Sequence, residues 1–294
     1  KQIWKQLYRK VSFGKYNVFG LLFGTIRLKK HLQKNQSPEN YLKHHADGIR
    51  FVEIRDQDQE LKNAIVTCYF TEKLDPQLGT FRSKSDFQYI QPWYDSLLKI
   101  NVNGIILHDG LDEEFIQKYQ TPLIQFRYCE MGNYSIFEER WFLYHHLINQ
   151  LVGLERIFFT DSNDVFIHSN PFLEFTNLEM LYVGRDNANR IKDSGWLLDE
   201  LKDYQGETKF VAPSTYFGQF AYNAGVIGGS VEIIKFLTSK MVEFIIPSKS
   251  SKHKDMTILN LVIHSYFYPM ITSKNWKRRL VDVDDDLTAI NNRI

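Results

Sequence analysis

Two carboxylates three residues apart, Asp161 and Asp164, close an apolar run in the stretch Arg156 to Phe166, RIFFTDSNDVF. Asn163 lies between them, and the chain turns apolar again at Val165. The pattern reads as a buried strand that presents acids at its carboxyl end and then starts a second strand. Ligands of open α/β sheets bind outside the carboxyl ends of the strands. Two close carboxylates repel unless a cation sits between them, and oxygen-only ligands suit Mg2+ or Mn2+. Such a cation is able to hold a diphosphate.

Other ways of holding a phosphate are absent. No Gly-x-Gly-x-x-Gly follows the first strand, and there is no Gly-x-x-x-x-Gly-Lys-Ser/Thr. A Gly-x-Ser-x-Gly elbow and a His-Glu-x-x-His zinc helix are missing too. The two cysteines, Cys68 and Cys129, fall in predicted strands and make neither a disulfide framework nor a zinc cluster. A chain without phosphate-cradling glycines needs another neutralising group, which returns the weight to Asp161 and Asp164.

The elements that must position these acids follow from periodicity. Asn63–Phe70, Gly104–His108, Leu123–Cys129, Arg156–Thr160, Met180–Gly184 and Ala221–Gly229 read as strands. Helices are predicted at 86–100, with Pro92 marking a break or a start, and at 112–119, 191–201, 230–244 and 255–267. The strongest helix signal is Ser135-Ile136-Phe137-Glu138, a capping box, followed by apolar residues at helical spacing up to Gly153. Asp112, Ser230 and Asp255 read as N-caps. Strand–helix alternation of this length argues for a three-layer α/β/α sandwich with a mostly parallel central sheet.

The bulk composition excludes some classes. A formal net charge of +1 gives no global field for nucleic acid, and no apolar run reaches the length of a membrane span. The 22 Phe and 16 Tyr supply an aromatic core and, as a sharper reading, platforms for sugars or bases. Residues 1–60 form a basic, aromatic-rich extension ahead of one domain spanning 61–294. This extension reads as an amphipathic segment packed on the main domain. A peripheral contact with an anionic membrane surface is the alternative.

Three stretches together carry a resemblance. FFTDSNDVFIHSNPF resembles the metal-binding Asp-x-Asp region of GT-A-fold glycosyltransferases, in an Asp-x-x-Asp-Val variant. Tyr222-Asn223-Ala224-Gly225-Val226-Ile227 resembles their Asn-Ala-Gly strand, and Lys254-Asp255-Met256-Thr257-Ile258-Leu259-Asn260 resembles the Asp-Gln-x-x-Leu-Asn helix start of the glycogenin-like and lipopolysaccharide galactosyltransferases. The likeness covers about 62 to 267. It departs at Asn163, which takes the place of the second acid, and at Met256, which replaces Gln; the C-terminal Lys-Pro-Trp segment is reduced to Lys274, Trp276 and Lys277.

The resemblance implies a GT-A, Rossmann-like fold and a bound Mn2+ or Mg2+. It implies Asp164 and Asp161 as metal ligands, Asp161 also reaching the ribose, with a late histidine, His264 or His253, completing the shell. Thr67 and Tyr69 at the end of the first strand would meet the nucleobase, with Tyr69 available for stacking. Asn223 would lie beside the donor sugar, for which Arg185 and Asp186 are further partners.

Arg140, one turn into the capped helix, suits the diphosphate or the sugar, or pairs with Glu138 or Asp164. Asp255 binds the sugar, serves as the base for an acceptor hydroxyl, or only caps its helix. Lys277, with Arg278 and Arg279, closes over the phosphates as a lid or is solvated. The segment Gly206 to Phe220 is a candidate acceptor-side loop.

The expected function is metal-dependent transfer of a hexose from a nucleoside diphosphate sugar, a UDP-sugar in the first instance, to a glycan or glycosylated acceptor. The alternatives are a sugar-1-phosphate nucleotidyltransferase, which the single Gly79 between Thr71 and Thr80 disfavours, and a non-catalytic carbohydrate-binding protein, which Asn163 and Met256 favour. The expected compartment is cytoplasmic, at most peripheral to a membrane, or the Golgi lumen if an N-terminal anchor has been removed.

Overall fold

The computed structural model describes residues 50–204, 218–248, 254–267 and 271–272. The segment 1–49, most of the expected acceptor loop, His253 and Lys277 to Arg279 lie outside the described residues.

Each of the six expected runs forms a strand, and two short strands outside those runs, Phe51–Val52 and Ile271–Thr272, join them. In chain order the strands are β1 (Phe51–Val52), β2 (Asn63–Tyr69), β3 (Gly104–His108), β4 (Ile124–Glu130), β5 (Arg156–Thr160), β6 (Leu181–Arg190), β7 (Phe220–Ser230) and β8 (Ile271–Thr272). The helices are α1 (Gln91–Ile100), α2 (Glu113–Tyr119), α3 (Ile136–Gln150), α4 (Pro171–Glu174), α5 (Gly195–Asp203), α6 (Val231–Ile245) and α7 (Asp255–Val262). Strands β2 to β8 make a mixed sheet, parallel in its centre across β4-β3-β2-β5, and β1 adds antiparallel to the β4 edge. The full order is β1-β4-β3-β2-β5-β7-β6-β8. Among the described residues no helix is long and apolar enough to cross a membrane.

Successive strand residues point to opposite sides, and the apolar core divides accordingly. Ala64, Val66, Ile157 and Phe159 join Trp141 and Leu147 of α3 and Leu237 of α6 in one cluster. Ile65, Ile106 and Phe158 join Trp93 and Leu97 of α1 and Phe115 of α2 in the other. Residues 50–60 contribute to this body: Arg50 pairs with buried Glu139 at 2.9 Å, and Asp58 is buried against Arg127.

Helix boundaries refine the sequence reading. Pro92 lies in the first turn of α1, so it starts the helix rather than breaking it. The Ser135–Glu138 capping box is formed. Gly153 does not stop α3, which already ends at Gln150; a Cβ there would meet the Gln59 carbonyl oxygen at 2.2 Å, so the residue permits a close backbone crossing. Asp255 is the first residue of α7 rather than its cap, a place taken by Lys254. The second strand expected after the acids does not form. Val165 and Ile167 are buried with a period of two, but the chain runs through bends to Asn170, which caps α4.

The reversal of β7 is what matters for the site. It runs antiparallel to β5, with Val226 opposite Thr160, the last residue of β5. Its first residues therefore extend past the carboxyl end of β5, alongside the two acids. The Asp161 N–H donates to the Gly225 carbonyl at 2.9 Å and continues the ladder into the turn.

Candidate functional site

A cleft of about 260 Å³ opens at the carboxyl ends of β2 and β5. Its floor is made of Thr67 and Cys68 from β2, Thr160 to Asp164 from β5 and its turn, Asn223 to Gly225 from β7, and Asp255 and Met256 from α7. The first turns of α3 add Ile136, Phe137 and Arg140, and the β2–α1 connection adds Asp75, Gln77, Leu78, Arg82 and Tyr89. The three motifs that are far apart in sequence thus share one wall-to-wall space.

Arg140 is its electrostatic centre. One guanidinium nitrogen lies 2.6 Å from Asp161 Oδ1 and the other 2.5 Å from Asp255 Oδ2. Burial works against the charge, but the Asp255 and Asp161 carboxylates outweigh it and raise the arginine's pKa. Arg140 therefore pairs with neither Glu138 nor Asp164. Glu138 is engaged elsewhere, since its two oxygens accept from the Ser135 hydroxyl at 2.8 Å and from the Lys254 N–H at 3.1 Å. That buried carboxylate ties the start of α3 to the start of α7, which is how Arg140 and Asp255 come to face each other.

Asp164 is left over. Its Oδ1 is buried with no hydrogen-bond partner among the described residues. Burial, and then the charge of Asp161, push its pKa up to about 8. The lining holds four aspartates, 75, 161, 164 and 255, against two arginines, 82 and 140. Asp75 is paired with Arg82 and the Arg140 fork is shared, so the lining leaves Asp164 no cation of its own. An orphaned buried carboxylate oxygen beside a second carboxylate is a fitting donor set for a hard divalent ion. Among the described residues no three His, Cys, Asp or Glu side chains gather as a complete ligand set.

Gly225 shapes the acid end of the cleft. A Cβ at this position would lie 2.7 Å from Asn223 Oδ1 and 2.9 Å from Asp161 Oδ2. The missing side chain is the space that the Asp161 carboxylate occupies. Asn223 Oδ1 accepts from the Gly225 N–H at 2.5 Å, which fixes the amide at the cleft edge.

Of the residues expected from sequence, Thr67, Arg140, Asp161, Asp164, Asn223 and Asp255 line the cleft together. Tyr69 does not: its ring is fully buried, its hydroxyl donates to the Ser83 carbonyl at 2.7 Å, and it packs on Tyr89 at 4.7 Å. The aromatic ring at that side of the cleft is Tyr89 instead, with the Arg82 guanidinium 4.6 Å from its centroid. Arg185 lies on the Phe220 ring at 3.9 Å, and neither it nor Asp186 lines the cleft. His264 is also absent from the lining; its Nε2 is 2.8 Å from the Phe220 carbonyl oxygen, and burial lowers its pKa to about 4. Lys277 falls outside the described residues.

Asp75, Arg82, Tyr89 and Tyr144 line the cleft without standing out in the sequence. Asp75-Pro76 is a turn signal that points to the first of these; nothing in the pattern marks Arg82. Cys68 lines the cleft, but burial pushes its thiol up to about 12, which removes it as a nucleophile at neutral pH. No protein-family model and no curated protein matches the chain.

Proposed function

We propose that the protein is a metal-dependent glycosyltransferase with a GT-A-like, three-layer α/β/α catalytic domain, transferring a hexose from a nucleoside diphosphate sugar to a glycan or glycosylated acceptor. The observation that carries this reading is the convergence of Asp161 and Asp164, Asn223 to Gly225, and Asp255 on one cleft around Arg140, with Asp164 Oδ1 buried and without a partner among the described residues. Asp161 and Asp164 would hold Mn2+ or Mg2+. A bound divalent ion would supply Lewis-acid stabilisation of the charge that grows on the departing diphosphate.

The chain's own groups have separable roles in this reading. Thr67 Oγ1 is buried at the cleft floor without a partner among the described residues and would offer a hydrogen bond to the nucleoside. Tyr89 walls the same side. Arg140 orients Asp255 and Asp161 and adds positive charge where the phosphates would lie. Asp255 is placed to accept a hydrogen bond or a proton from a sugar or acceptor hydroxyl. UDP-sugars are the first donors to try, since the resemblance points to them.

Calorimetry with UDP, with and without Mn2+, is the test. The expected result is UDP binding that requires the metal and is lost in Asp164→Ala. Metal-independent UDP binding would remove the mechanism, and unchanged donor hydrolysis in Asp164→Ala would remove the site assignment. A second reading, carbohydrate binding without catalysis, is favoured by Met256: it lines the cleft and presents a thioether where an amide would bind a hydroxyl. Sugar binding with no donor hydrolysis across a screen of UDP- and GDP-sugars would select it.

A further inference from the structure

Between β2 and α1 the chain makes a small hairpin whose polarity is inverted. Asp75 and Thr80 pair antiparallel, the Gly79 N–H donates to the Asp75 carbonyl at 2.8 Å, and Gly79 takes a φ of 67° that an L side chain resists. The Asp75 side chain is buried; Oδ1 accepts from the Gln77 N–H at 2.8 Å and Oδ2 accepts from Arg82 Nε at 2.9 Å. The large apolar side chains go outward: Leu74 is 50%, Leu78 63% and Phe81 63% exposed. Leu74 and Phe81 flank the bridge between 75 and 80. A surface hairpin ordinarily hides such residues. Here internal hydrogen bonds hold them out.

Leu78 also lines the cleft, so the apolar tip of the hairpin reaches the charged floor. Contiguous exposed apolar surface beside a cleft marks a binding surface. Among the described residues, the cations on the same connection are already engaged: Arg82 on Asp75, Lys84 on Glu72, and Lys73 on the Gly132 and Tyr134 carbonyls. They leave the rim with little attraction for an anionic bilayer. A free sugar would leave the rim wet, and a bare bilayer would not reach the floor. A molecule with a polar head and an apolar chain satisfies both surfaces.

We propose that the hairpin of Leu74, Leu78 and Phe81 receives the alkyl or acyl chain of an amphiphilic acceptor whose hydroxylated head lies in the cleft. The proposal rests on the glycosyltransferase reading and adds the chemical class of its acceptor. Methyl, octyl and dodecyl glucosides, kept below micelle formation, are the probes, titrated calorimetrically into the protein with UDP and Mn2+ present. Octyl glucoside is expected to bind at least about tenfold tighter than methyl glucoside, since each buried methylene adds to affinity. The double variant Leu74→Ser/Phe81→Ser should lose most of that gain and keep its UDP affinity. Val152→Ser/Leu173→Ser, at exposed apolar sites outside the cleft lining, should keep both.

Equal affinity across chain lengths would overturn the proposal, as would a gain that survives Leu74→Ser/Phe81→Ser. Hairpin-dependent co-sedimentation with phosphatidylcholine vesicles lacking any acceptor would also overturn it, in favour of bilayer docking. The chain-length series in the unaltered protein decides the matter even if the double variant fails to fold. Failure of the donor reading shows separately, as UDP binding without metal dependence.

Discussion

Among the buried arginine–carboxylate clusters of the molecule, those of Arg127 and Arg140 are built to opposite ends. At the β4 edge, Arg127 and Asp58 are 0% and 1% exposed, and every group is answered. Arg127 reaches Asp58 through Nε at 2.7 Å and Nη2 at 2.5 Å, while Nη1 donates to the Phe126 carbonyl at 2.7 Å. Gln125 accepts from the same guanidinium at 3.2 Å and from Gln57 at 2.7 Å. In the cleft, one guanidinium is divided between Asp161 and Asp255, and Asp164 goes without. Closed clusters anchor structure; a cluster short of one cation is poised to take a ligand.

The comparison can be broken at either end. The largest effect is expected at the closed cluster. Asp58→Ala leaves a buried guanidinium unpaired and should cost about 3–5 kcal/mol in urea unfolding; a loss below about 1 kcal/mol would place the two clusters in one class.

Asp164→Asn should have the opposite sign. The folded state holds this carboxyl protonated up to about pH 8, whereas unfolding returns it to the ordinary aspartate value of 3.8. Between those values the folded state binds the extra proton, so its contribution to stability falls as pH rises and is flat above about 8. The variant should lack this slope and gain about 1–3 kcal/mol near pH 7.5 in the absence of metal, a tenfold change in proton affinity being worth about 1.4 kcal/mol. Equal pH slopes for variant and parent would show that the acid is not strained.

Gly225→Ala drives a methyl group at the Asp161 carboxylate and should cost about 1–2 kcal/mol by overpacking, with weakened Mn2+-dependent UDP binding. A variant that binds UDP as before would mean that the glycine serves only the strand. The smallest effect is expected for Gln57→Ala, which removes one hydrogen bond from the rim of the closed cluster, about 0.5–1.5 kcal/mol with no change in ligand binding.

Much of this arrangement is legible in the residues because it rests on local chemistry. GIILH is β3 to the residue, and the Ser135–Glu138 box starts α3. The acid pair, the Asn-Ala-Gly segment and Asp255 meet as their motif order suggests. Three-dimensional direction is less legible. Thr67 and Tyr69 are two apart on one strand, yet Thr67 faces the cleft while the 83–86 loop closes over Tyr69. Arg82 comes from an irregular connection with no period to read, and Tyr89, expected inside a helix from 86, precedes α1, which starts at Gln91. Val165 and Ile167 alternate like a strand, but Ile167 makes only an isolated bridge and no ladder forms. The Arg140 fork is open to several carboxylates by sequence, and only the reversal of β7 and the docking of α7 select Asp161 and Asp255.

The Glu138 link has a consequence for the order in which the molecule takes shape. Arg140 and Asp161 are 21 residues apart, whereas Glu138 meets the Lys254 N–H across 116 residues and Arg140 meets Asp255 across 115. Closing so long a loop carries an entropic cost that contacts nearby in sequence avoid. On a ribosome, the first half of the cleft emerges well before the helix that completes it. A nascent chain can thus hold a formed β5 and α3 with Glu138 and Arg140 still lacking their distant partners. The cleft is complete only once α7 has been made.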